Sequence, residues 1–468
     1  MKKNDLIPIF QSFSKKEVKD FKKWLLSPAH NSREDVVLLY EYLILDENLY
    51  GSATLEKESV FGSIFTNETY NDAKMRQVIY FLKAAVDDFL TYQALLKDAV
   101  RAKIMLSSVF RTRKIEKSFL QTIKEAQTLQ EKFPYRNDTF LSNEYRLQQE
   151  QYLFFEGQKR LVQMNLQEVT DAIDNNYLAN KLRQSCLMLA HQTVYKINYD
   201  LGLIQEIVRF VEMNEKLSHS AIAIYYYGYK TFFEKENEEH YFNLKKEIDT
   251  NEHKFPSSEV RDIYLMAINY CIGRVNAGNP SFTQETFEWY KRGFSKNILI
   301  ENETVSRFTF RNVVSAATKL KEFGWVEQFI QEYKNLVEDK YRESTVHYSL
   351  SKVYYEKGDY KTAMRMISQF ENDDILLNLA AKTMLIKMFY EESEFDALES
   401  LLESMRTYLQ RKDVIGYHKS NYKNIIKYTK KLINSFAYSK QKKLDLKDEI
   451  TNANPLTEKS WLLEQLVI

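Results

Sequence analysis

The sequence predicts an all-α fold, with an N-terminal helical unit followed by an α-solenoid of helical hairpins. Three observations predict it. Apolar residues recur at helical spacing along almost the whole chain. Turn formers are sparse: 11 glycines and 6 prolines in 468 residues, where an average chain of this length carries about 30 and about 20. Few tight turns argue against hairpin-rich sheets and for helices with short connections. The third observation is a repeat. "VYYEKGDYKTAMRMI" from Val353 is echoed by "KMFYEESEFDALESLL" from Lys387.

The first helix is expected in "SKKEVKDFKKWLL". Val18, Phe21, Trp24 and Leu25 share a face, and Ser14 with Glu17 forms a capping box. Pro28 punctuates, and "SREDVVLLYEYLI" starts a second helix with Ser32 as its expected cap. "LEKESVFGSIF" and "NDAKMRQVIYFLKAAVDDFLTYQALL" complete a four-helix unit over residues 1–96. Further helices fill 97–300, with breaks at "KFPYRND", "NYDLG", "KFPSSE" and "NAGNPS". Their lengths suit hairpins, but they do not align with one another. Residues 301–436 carry the repeat, and 437–468 form a capping segment. Within it "NPLTEKSWLLEQLVI" predicts a short final helix whose Trp461 and Leu462 seal the last hairpin. No alternating run of five or more residues predicts a strand.

In the repeat, Tyr354, Tyr355, Glu356, Gly358, Asp359 and Tyr360 pair with Phe389, Tyr390, Glu391, Ser393, Glu394 and Phe395. Trp325 lies 35 residues before Tyr360, and Phe395 lies 35 after it. Such a period marks stacked hairpins, none of which can bury its apolar face alone. Here the chain resembles the tetratricopeptide repeat. His347, Leu350, Ser351, Tyr354, Ala363, Ile367 and Phe370 fall at the family's spacing, with the turn at Gly358 to Tyr360. The departures are His for Trp, Ser for Gly, no closing Pro, Leu398 for Ala in the next copy, and a one-residue slip for the copy at Trp325. The start of the chain, "FSKKEVKDFKKWLLSPAHN" with "YNDAKMRQVIYFLKAAVDDFL", is similar to a group of uncharacterised bacterial helical-repeat proteins, a likeness that implies no activity.

Charge is balanced, with 66 Lys plus Arg against 65 Asp plus Glu, so no whole-chain attraction to nucleic acid or anionic lipid is expected. No run approaches the about 18 apolar residues of a membrane span, and no secretory signal is read at the start. Two distant cysteines, Cys186 and Cys271, suit a reducing compartment. The expectation is a cytoplasmic protein. No cofactor or metal is expected: the seven histidines form no HxxxH or HExxH pair. His347 reads as a packed core histidine. "GRVNAGNP" at 273–280 lacks the Lys and Ser/Thr of a phosphate loop. No catalytic constellation emerges, and the chain is read as a non-enzyme.

Binding surfaces are therefore the candidates. The tetratricopeptide resemblance implies that first helices of hairpins line a concave face. Its outward positions map to Tyr348, Lys352 and Tyr355, then Thr383, Lys387 and Tyr390. Lysine and tyrosine ladders suit an acidic protein or peptide segment. A second surface is the basic face of the helix at 417–436, with Lys419, Lys423, Lys427, Lys430 and Lys431 opposite a stripe of Tyr422, Ile425, Ile426, Thr429, Ile433 and Phe436. The aromatic run "IYYYGYKTFF" places Tyr225, Tyr229, Phe232 and Phe233 on one face, expected as core. The leading function is a scaffold binding a peptide or protein segment. The alternative is a DNA-associated regulator, in which Lys74, Arg76 and Gln77 open the recognition-like helix of a helix-turn-helix-like unit within residues 55–82 and the repeats sense a partner.

Overall fold

The computed structural model describes residues 5–51, 55–157, 164–195, 197–368, 375–411, 417–435 and 439–466. Among these the protein is 80% helical, with 24 α-helices and no strand. Two isolated β-bridges pair Glu301 with Thr304 and Val305 with Val337. No helix among the described residues is long and apolar enough to cross a membrane. The chain divides into two compact units, residues 1–180 and 181–468.

The first unit runs through α1 (Leu6–Gln11), α2 (Lys15–Leu26), α3 (Glu34–Leu43), α4 (Asp46–Tyr50), α5 (Lys57–Ile64), α6 (Asp72–Lys97), α7 (Ala99–Thr112), α8 (Glu116–Glu131) and α9 (Asp138–Glu156), into α10 (Leu166–Tyr195). The capping box at Ser14 forms as the sequence predicts. Glu17 N–H donates to Ser14 Oγ at 3.2 Å, and Ser14 N–H donates to the Glu17 carboxylate at 2.8 Å. Asn71, Asp98 and Asn137 cap α6, α7 and α9 through their side-chain oxygens. Ser32 does not cap α3. Its N-cap is Arg33, which makes no side-chain cap bond. Asn31 organises the turn instead, receiving Arg33 N–H and donating to the Leu25 and Arg33 carbonyls. One core joins α1 to α6 around Phe10, Phe21, Tyr40 and Phe89, so the short α1 and α4 add to the four expected helices. A second core holds α7, α8 and α9 around Phe119 stacked on Phe154 at 4.2 Å.

The second unit continues with α11 (Ile204–Met213), α12 (Ser220–Phe233), α13 (Glu238–Asn251), α14 (Ser257–Asn276), α15 (Phe282–Ser295), α16 (Arg307–Lys319) and α17 (Phe323–Tyr333). It ends with α18 (Asp339–Glu356), α19 (Tyr360–Ser368), α20 (Ile375–Glu391), α21 (Phe395–Arg411), α22 (Tyr417–Asn434), α23 (Lys440–Asn452) and α24 (Lys459–Gln465). Successive helices pack as hairpins, and α16, α18, α20 and α22 also touch one another in order. First helices of neighbouring hairpins therefore lie side by side.

One turn recurs. Gly358 takes φ +80°, with its N–H on the Tyr355 carbonyl and the next N–H on the Tyr354 carbonyl. This double bond closes a helix with a left-handed residue just past its end. Ser393 repeats it at φ +61°, bonding Tyr390 and Phe389, so the Gly–Ser swap changes the residue but not the turn. Lys321, Gly278 and Lys114 close α16, α14 and α7 in the same way. The unaligned stretch 97–300 thus shares a turn with the repeat. Lys321 precedes Gly358 by 37 residues, whereas Gly358 precedes Ser393 by 35. The copy at Trp325 is consequently displaced by two residues, not one. Phe323, rather than Trp325, starts its second helix where Tyr360 and Phe395 start theirs.

Ala363 is fully buried against Met384 and Met388, the small-residue slot expected of a hairpin. His347 is half-buried, and no hydrogen-bond partner reaches its Nδ1. Phe370 and Phe436 lie outside the described residues. Tyr225, Tyr229 and Phe232 are core, but Phe233 is 53% exposed and departs from the expected stripe. It follows the last buried turn of α12 and stacks outside on Tyr229.

Candidate functional site

A cavity of about 140 Å³ opens along α18 and α20, with α16 and α22 at its sides. Tyr348, Lys352 and Tyr355 from α18 line it, with Thr383 and Lys387 from α20. Helical spacing explains this, since positions three, four and seven apart share a face. Three further residues come from elsewhere: Lys319 at the end of α16, and Thr457 and Glu458 from the C-terminal segment. A second cavity of about 150 Å³, lined by Asn276, Asn312 and Ser315 among others, shares Lys319 with the first.

Glu458 is the centre of the charge arrangement. Lys387 Nζ donates to its Oε2 at 2.9 Å and also lies 4.7 Å from the centre of the Tyr355 ring. Desolvation pushes the Glu458 carboxyl up, but Lys387, Lys352 and Lys319 together outweigh it and hold the group below its ordinary value. Burial pushes the Lys352 ammonium down to about 8, while Glu458 pulls the other way. Lys352 Nζ donates to Ser315 Oγ at 2.9 Å. Three lysines thus line one cavity with one carboxylate, which Lys387 contacts directly.

A second carboxylate anchors Tyr355, which lines the cavity. Glu391, at the end of α20, accepts from Tyr355 Oη at 2.8 Å, from Tyr360 Oη, and from Trp461 Nε1 at 2.6 Å. Tyr355 and Tyr360 stack at 5.3 Å. Desolvation first, then the Glu391 bond, raises the phenol of Tyr355. Tyr355 is therefore a neutral donor at every ordinary pH.

Five of the six expected positions meet in one cavity. Tyr390 does not. It is 7% exposed and packs edge-on against Trp461 at 5.5 Å, because the C-terminal segment covers it. Trp461 and Leu462 are buried in a short helix, as the sequence predicts, but they lie against α20 and α22. Lys319, Glu391 and Glu458 were missed. Glu391 repeats Glu356 at the 35-residue period, a signal that was available. Lys319 takes the register of Glu356 and Glu391 at the 37-residue spacing, which is not one of the expected outward positions. Nothing local marks Glu458.

Two of the five lysines of the other basic face are met by carboxylates. Lys430 pairs with Glu403, and Lys431 with Glu449 at 2.5 Å. Lys423 and Lys427 are exposed and Lys419 is half-buried. In the first unit Lys74 pairs with Glu68 at 2.6 Å above the Phe65 ring, and Arg76 pairs with Asp72 at 2.9 Å. Gln77 is exposed. Both cysteines are buried, and desolvation raises their thiols, Cys271 to about 12. They are not activated nucleophiles. Among the described residues no group of three His, Cys, Asp or Glu could hold a metal ion.

No protein-family model, curated protein or solved structure matches the chain.

Proposed function

We propose that this protein is a non-enzymatic scaffold, an α-solenoid with tetratricopeptide-like hairpins, that binds an acidic protein segment along the first helices of its C-terminal hairpins. One observation carries the reading: Lys319, Lys352 and Lys387 line one tyrosine-walled cavity with a carboxylate, Glu458, which Lys387 contacts at 2.9 Å. Lysines supply point charges for an acidic side chain, and tyrosines supply rigid amphipathic contact. Asn276 and Asn312 in the adjoining cavity offer amides to an extended backbone. The DNA-associated alternative gains nothing from Lys74 and Arg76, whose charges are met by neighbouring carboxylates.

The test is an arrayed peptide library probed with the purified chain. Acidic peptides should be enriched among those bound. The double substitution Lys352→Glu with Lys387→Glu should weaken their binding at least tenfold, about 1.4 kcal/mol. Unselective binding, or binding untouched in a folded double variant, overturns the reading.

A further inference from the structure

Sealing the last hairpin needs apolar side chains, and Trp461, Leu462 and Leu466 supply them. It does not need a carboxylate among lysines. Yet Glu458, three residues before Trp461, reaches Lys387 at 2.9 Å and shares its cavity with Lys352 and Lys319. It does so at φ +53°, a left-handed conformation that a side-chain-bearing residue keeps only where its surroundings hold it. The rest of the segment is docked by specific bonds. Trp461 Nε1 donates to Glu391 at 2.6 Å, and Asn424 Nδ2 donates to the Pro455 carbonyl at 2.8 Å. Helix α24 has only seven residues, too few to persist away from its docking surface. The Glu458 side chain remains 37% exposed, so a competing carboxylate can reach its lysines from solvent.

We propose that residues 453–466 are a tethered occupant of the lysine groove, and that a partner binds by displacing them with a segment of the same chemistry. That segment is a short amphipathic helix with an acidic residue and, one helical turn later, an aromatic one, copying Glu458 and Trp461. The acid takes the lysines and the aromatic takes the Glu391 acceptor beside Tyr390. Tethering gives the internal segment an effective concentration of about millimolar, so the closed state dominates until a tighter partner arrives. The inference rests on the groove being a docking site, and it adds the partner's pattern and an autoinhibited resting state.

The probe is a labelled synthetic peptide of residues 453–466, "ANPLTEKSWLLEQL", added to the full chain and followed by fluorescence anisotropy. Glu458→Gln and the double variant Glu458→Gln with Trp461→Ala loosen the internal copy. Affinity for the probe should rise from wild type to the single to the double variant, at least tenfold across the series. A probe with glutamine in place of its glutamate should bind the double variant at least tenfold more weakly. If the double variant does not fold, the single variant carries the test, with at least a threefold gain over wild type. Equal measurable affinity across the chains overturns the tethered occupant and leaves the docking groove standing. No binding to any of them overturns both.

Discussion

Lys387 and Glu458 stand 71 residues apart in sequence and 2.9 Å apart at Nζ and Oε2. The lysine is nearly buried and the carboxylate is partly open, so the pair is screened less than a fully exposed one. A double-mutant cycle of Lys387→Met and Glu458→Gln should return a coupling of about 1 kcal/mol in urea unfolding. Additive effects would mean that the contact contributes nothing.

Glu391 ties three donors together. Glu391→Ala leaves the Tyr355, Tyr360 and Trp461 donors without their acceptor and should cost about 3 kcal/mol. Trp461 should shift its emission to the red as the segment loosens. Unchanged stability and emission would remove Glu391 from the anchoring role.

The paired turns give opposite substitutions. Ser393 sits at φ +61° where the preceding hairpin has Gly358 at φ +80°. Ser393→Gly should stabilise by about 0.5–1 kcal/mol in thermal unfolding, by relieving the left-handed strain. At Gly358 an added Cβ meets nothing within 4 Å, so Gly358→Ala should cost only the conformational term, about 1–2 kcal/mol. The same sign for both would contradict the shared turn.

Ala363 and Thr362 test the hairpin packing. Ala363 is fully buried against Met384 and Met388, whereas Thr362, in the first turn of α19, is half-buried with its N–H on the Asp359 carboxylate at 3.1 Å. Ala363→Leu should destabilise by about 1–3 kcal/mol through overpacking. Thr362→Leu should cost under about 0.5 kcal/mol. Equal shifts in melting temperature would argue against this packing.

Lys352 makes stability depend on pH. Burial lowers its ammonium to about 8 from 10.5, and the charges facing it are Glu458, Lys319, Glu356 and Lys387. In the unfolded chain the amine holds its proton up to about pH 10.5. Between about pH 8 and 10.5 the unfolded state therefore binds the extra proton, and this group's contribution to stability rises with pH. Below about pH 8 both states are protonated and the burial cost is at its full value. Lys352→Met should exceed wild type in stability at pH 7, by a margin that shrinks as pH climbs toward 10. Urea unfolding of both chains across that range checks it, and a margin that widens with pH would reverse the assignment.

The sequence by itself determined the helices, their main breaks and the hairpin repeat, because these depend on local causes. Apolar periodicity, Asn and Ser caps, and a left-handed turn residue act within a few positions of one another. It also determined which side chains of α18 and α20 share a face, since helical geometry alone aligns Lys352 with Tyr348 and Tyr355. The tertiary structure decided the rest. It set the two-residue offset of the α16 hairpin, which a strict 35-residue comparison conceals. It also decided what covers the groove. Glu458 reaches Lys387 and Trp461 reaches Glu391 only because α24 packs back across α20 and α22, and no local pattern encodes a contact spanning 70 residues. Burial then did what spacing could not express, turning Tyr390 from an outward rung into core and lowering the proton affinity of Lys352.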